Sequence, residues 1–93
     1  RSFSDLILAI HQDTHAMSEA ELDNIRVGLS NHAETLALWV NIATALSFLK
    51  AVDEYHYLNQ LTLVRIQVTQ KLCSALDNLT KLITGIDFDS HHQ

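Results

Sequence analysis

The chain has 93 residues, enough for one domain and too few for two. Apolar residues make up 47% of it and charged residues only 18%, which excludes an intrinsically disordered chain and leaves more apolar surface than a thin helical hairpin can hide. The net charge is −5 and the six basic residues (Arg1, Arg26, Lys50, Arg65, Lys71, Lys81) are scattered, so the basic stripe that displaces phosphate counterions is missing and nucleic acid is not an expected partner.

Proline is absent and glycine occurs only at Gly28 and Gly85, a composition that favours long helices over strands and tight turns. The first predicted helix spans about 4–15. Phe3, Leu6, Ile7, Ile10 and Thr14 follow one helical face, with Ser4 as N-cap and Asp5 near the positive end of the helix dipole. Ser18-Glu19-Ala20-Glu21 then fits the capping box, with Met17 placed to pack on Leu22, so a second helix is predicted to start at Glu19. It is predicted to run to about residue 52. One apolar stripe passes through Leu22, Ile25, Leu29, Ala33, Leu36, Val40 and Ala43, and another through Leu38, Ile42, Leu46 and Leu49. Two stripes on one helix imply burial on more than one side.

A break is placed between Val52 and Asn59, since one continuous helix from Glu19 to Thr84 would be about 100 Å long. The last helix is predicted over about 56–84, with Leu61, Val64, Val68, Leu72, Ala75, Leu79, Leu82 and Ile86 at steps of three and four. Val64 to Thr69 also alternates with period two, which suits a strand, but the helical pattern on both sides overrides it. Gly85 is placed to cap the helix C-terminus, Ile86 or Phe88 to fold back on it, and 87–93 to form a mobile tail. Residues 1–56 hold three basic and eight acidic groups, and residues 57–86 three basic and one acidic, so the two long helices suit a hairpin with complementary edges.

Candidate chemistry is sparse. His11 and His15 are four apart and would share a helical face, the spacing of two metal or haem ligands, but no further ligand is placed by sequence. A metal- or haem-binding bundle using this pair is the alternative reading, and no cofactor is expected. Cys73 is the one cysteine, so no internal disulfide forms; a reducing, cytoplasmic setting and a core-facing thiol are expected. Asp53 and Glu54 with Glu34 are acidic without a converging pocket, and neither a nucleophile elbow nor a Glu-x-x-His pair is present, so no enzyme is expected. The longest uncharged run, Thr35 to Leu49, contains Asn41, Thr44 and Ser47 and falls short of the ~20 apolar residues of a membrane span.

Trp39, Phe48, Tyr55 and Tyr57 suit either core or interface, and Ala33, Ala37, Ala43 and Ala45 would let another helix approach closely. The preferred interface segment is Leu36 to Leu49, with binding energy in Leu36, Trp39, Val40, Ala43 and Leu46. The expected fold is therefore all-α: a short N-terminal helix and a long antiparallel helical hairpin, in a single domain over 1–93. Two hairpins are expected to pair into a four-helix bundle. The expected function is a non-enzymatic protein–protein interaction module, a regulator or adaptor of antitoxin-like or chaperone-like kind, whose partner is a second copy or another protein.

Overall fold

The computed structural model describes residues 2–55 and 57–83; among them are four α-helices and no strand. These are α1 (Phe3–Gln12), α2 (Glu19–Gly28), α3 (Ala33–Glu54) and α4 (Leu61–Ile83). The all-α class follows from the sequence as expected, and Val64 to Thr69 lies within α4. The cap of the last helix at Gly85, the return of Ile86 or Phe88 and the tail over 87–93 lie outside the described residues.

Each N-terminal helix starts on a capping box. In α1 the cap is Ser2 and not Ser4: its hydroxyl accepts from the Asp5 amide at 3.1 Å, and the Asp5 carboxylate accepts from the Ser2 amide. Asp5 thus supplies the third-position carboxylate that the motif needs, besides its favourable place near the helix dipole. α1 stops at Gln12 because Asp13 turns extended (φ −153°) and its carboxylate takes the His15 amide at 2.9 Å, a local bond that competes with helix continuation. In α2 the predicted box is present, Ser18 with Glu21, and Met17 and Leu22 are both buried.

The helix predicted over 19–52 is two helices. Gly28, Ser30 and Asn31 are poor helix formers in close succession, and the chain turns there over Leu29 to His32, the His32 amide donating to the Leu29 carbonyl at 2.9 Å. The turn lets Leu22 and Leu29 enter the core beside Trp39. A straight helix would carry both away from it.

α3 and α4 run antiparallel. Asp53 at the end of α3 is bonded by Arg65 near the start of α4, while Leu38, toward the start of α3, lines a furrow with Ala75 and Asn78 in the second half of α4. α4 begins at Leu61 and not near residue 56: Tyr57 to Gln60 precede the helix, and the Leu61 amide donates to the Leu58 carbonyl at 3.0 Å. The buried stripe of α3 is Thr35, Trp39, Ile42, Leu46, Leu49 and Val52; that of α4 is Leu72, Leu76, Leu79 and Ile83. Phe3, Ile7 and Ile10 of α1 complete the core. A fully buried side chain of this size contributes about 1.5–3 kcal/mol. α4 has no buried residue before Leu72, so its first turns are the least anchored part of the hairpin.

α3 packs on α4 and α2 and meets Phe3 of α1 through Trp39, while α1 lies chiefly against α4; burial on these sides accounts for part of the apolar character of α3. Its 22 residues contain an 18-residue window of mean hydropathy 1.5, long and apolar enough by length and composition to cross a membrane. The helix extends at both ends beyond the uncharged run Thr35 to Leu49, and this added length is what brings it to the size of a span. One-third of that window is buried within the chain itself.

Candidate interaction surface

Trp39 organises the inner side of α3. It is fully buried, its indole N–H donates to the Leu22 carbonyl at 3.0 Å, and its ring meets Phe3 edge-on with centroids 5.7 Å apart. One side chain thereby joins α1, α2 and α3. Leu46 is buried on the same stripe. Trp39 and Leu46 thus belong to the core of a single chain, whereas Leu36 and Ala43 are half-buried, Ala43 along the furrow toward α2, and Val40 is 42% exposed. The five residues expected to form one interface stripe divide between inside and outside, because the stripe that faces the core is the second one, through Ile42, Leu46 and Leu49, joined by Trp39.

The outer side of α3 lies opposite. Phe48 is nine residues from Trp39, half a revolution of the helix away, and it is 45% exposed. With it stand Ala37, Val40, Asn41, Thr44 and Ala51, all exposed. No charged residue occurs between Glu34 and Lys50, so a solvent-facing helix surface carries no charge over about four turns. Beside Phe48 a furrow of about 390 Å³ runs between α3 and α4, floored by Ala45, Val68, Leu72 and Ala75 and edged by Asn41, Thr44 and Lys71. The sequence already carries the signal that separates Phe48 from Trp39: Phe48 is out of step with the 39–42–46–49 spacing.

A second furrow separates α2 from α3, with Leu22, Trp39 and Ala43 along it and Glu19, Asp23 and Arg26 at its rim. Its polar groups largely satisfy one another: Arg26 pairs with Asp23 at 2.9 Å, and Ser47 donates to Glu19 at 3.1 Å.

The titratable groups form a structural tie. The Asp53 carboxylate accepts from Arg65 Nε at 2.8 Å on one oxygen and lies 2.8 Å from His15 Nε2 on the other. The Arg65 hydrogen bond and then the His15 hydrogen bond hold the Asp53 carboxyl below its ordinary range, and Asp53 in turn raises Arg65. This ties the α1–α2 connection to the closed end of the hairpin, beside the α3–α4 connection, and Lys50 adds a bond to the Met17 carbonyl at 3.3 Å. Because α1 ends at Gln12, His11 and His15 do not share a helix, which removes the common face on which a two-histidine metal site was drawn. Among the described residues no three His, Cys, Asp or Glu side chains cluster closely enough to hold a metal ion. Asp53 and Glu34 stand at opposite ends of α3, about 28 Å apart along the axis, so no carboxylate cluster forms between them. Cys73 is exposed and not core-facing, since the α4 stripe passes through Leu72 and Leu76 on either side of it.

Compared with protein family models, curated proteins and solved structures, the chain matches none of them.

Proposed function

We propose that this protein is a non-enzymatic helical interaction module, cytoplasmic, that presents the outer face of the α3–α4 hairpin to another helical surface. The assembly we propose is a dimer whose two hairpins make a four-helix bundle, with α1 and α2 on the outside. The observation that carries this reading is the uncharged, exposed stretch of α3 around Phe48 beside a furrow floored by small and apolar side chains. A solvent-facing helix surface is ordinarily charged, and a stripe of apolar and small residues in its place suits helix-on-helix packing. Phe48 is the aromatic anchor of this face, with the half-buried Ala45 and Ala75 allowing close approach. Val40 and Ala43 belong to its α2-side margin, Leu36 is half-buried, and Trp39 and Leu46 support it from within.

Light scattering coupled to size exclusion over a concentration series tests the assembly. A particle of twice the 10.5 kDa chain mass is expected. A 10.5 kDa particle at every concentration up to about 100-fold above the micromolar range typical of weak complexes would contradict the dimer.

A further inference from the structure

The outer hairpin face also indicates how two copies meet. We infer that a second copy of this chain docks there about a two-fold axis running along the helices, so that α3 of each copy lies on α4 of the other. This rests on the dimer proposed above.

Two observations lead to it. First, a protrusion and a recess share one face: Phe48 stands 45% exposed at the edge of the furrow floored by Ala45, Val68 and Ala75. An isologous interface requires a patch that complements itself, and a knob beside its own hole satisfies that requirement. Second, the two helices of the hairpin carry opposite charge. Apart from the Asp53–Arg65 pair, which is satisfied within one chain, α3 has Glu34 and Glu54 against Lys50, whereas α4 has Lys71 and Lys81 against Asp77.

Only two simple two-fold arrangements lay this face on itself. An axis across the helices stacks α3 on α3 and α4 on α4, acidic on acidic and basic on basic. An axis along the helices stacks α3 on α4 twice over, acidic on basic. It also preserves height. The start of α3 lies beside the end of α4 within the hairpin, so Glu34 of one copy comes level with Lys81 of the other. Opposite charges at the rim fix register and exclude the like-charged alternative, while Phe48 and the small residues of the furrow supply the buried contact. Lys71 sits at the furrow edge, where its long stem can lie along apolar surface with the ammonium in water.

The test is a distance between two copies. A nitroxide label is placed on Ala33→Cys, at the exposed start of α3, in a Cys73→Ser background, and the label-to-label distance is measured by pulsed dipolar spectroscopy. The axis along the helices puts both labels at one end of the bundle, and a distance under about 25 Å is expected from bundle packing. The axis across them puts the labels at opposite ends, at or beyond about 33 Å, the length of a 22-residue helix. That longer distance would overturn the arrangement while leaving the dimer standing. Absence of any dipolar coupling, with the chain running as a monomer, would overturn both.

Discussion

Trp39 shows how much of the chain's order hangs on single side chains. Its N–H is satisfied by the Leu22 carbonyl in a fully buried setting, and a lost buried partner costs about 1–3 kcal/mol. Trp39→Phe keeps the ring against Phe3 and removes only that bond. It is expected to lower stability within this range in urea titration, and Trp39→Ala by about 3–5 kcal/mol. Equal small losses for both would mean that Trp39 is not the joint of three helices. Asp53 is the other informative residue. Its carboxyl is held low by Arg65 first and His15 second, so its contribution is present above the carboxylate value of the unfolded chain and is lost as pH falls through the depressed folded value. For a partly exposed pair this is at most about 1 kcal/mol. Asp53→Asn is therefore expected to melt below the wild type at pH 7, by no more than about 8 °C. The two melting curves should converge toward the acid end. A difference that persisted undiminished below about pH 2, past the ordinary carboxylate range, would show that the tie is not ionic. None of this is legible in the sequence, because His15, Asp53 and Arg65 are brought together by the turn geometry and share no local motif.

The elements themselves are more readable, and for identifiable reasons. The Ser18–Glu21 box and the Met17–Leu22 pair are local chemistry, and they set the start of α2 without reference to the rest of the chain. The α2–α3 turn is hidden from periodicity because the apolar spacing continues unbroken through Ile25, Leu29 and Ala33; only the breaker residues Gly28, Ser30 and Asn31 mark it. The register of α4 differs from the predicted one on its core side: Leu72 and Leu79 are buried as expected, but Leu76 and Ile83 complete the stripe in place of Ala75 and Leu82. Both residues lie beside predicted positions, and a stripe of three- and four-residue steps admits either path. Two substitutions test the elements. Ser18→Ala removes the α2 cap and is expected to cost about 0.5–2 kcal/mol in urea titration. Gly28 has no positive φ and open space where a Cβ would stand, so Gly28→Ala is expected to raise the melting temperature, by up to about 1 kcal/mol in stability. A loss on Gly28→Ala would mean that the α2–α3 turn needs the conformational freedom of glycine.

At the scale of the whole molecule, the apolar excess noted in the composition is distributed on both sides of α3. One side is buried under α1 and α2 and against α4, around Trp39, Ile42, Leu46 and Leu49. The other remains in solvent around Phe48. The interface segment expected from sequence overlaps this region but centres on the inner side, because it takes Trp39 as its anchor. Periodicity identifies that two faces are apolar; only the packing of α1 and α2 decides which one stays open.

In the function proposed above, this open face is where the protein associates. The most direct measurement is the self-association constant of wild type, Phe48→Glu and Leu8→Glu by sedimentation equilibrium, with circular dichroism confirming that each remains helical. Leu8 is a fair control: it is 56% exposed on α1, which packs against α4 and meets Trp39 through Phe3, on the core side of the hairpin and away from Phe48. Phe48→Glu is expected to weaken association by about 100-fold or more, as for an aromatic anchor, and Leu8→Glu to leave it unchanged. Folded variants that associate as strongly as the wild type, or that are weakened equally, would contradict association through the Phe48 face.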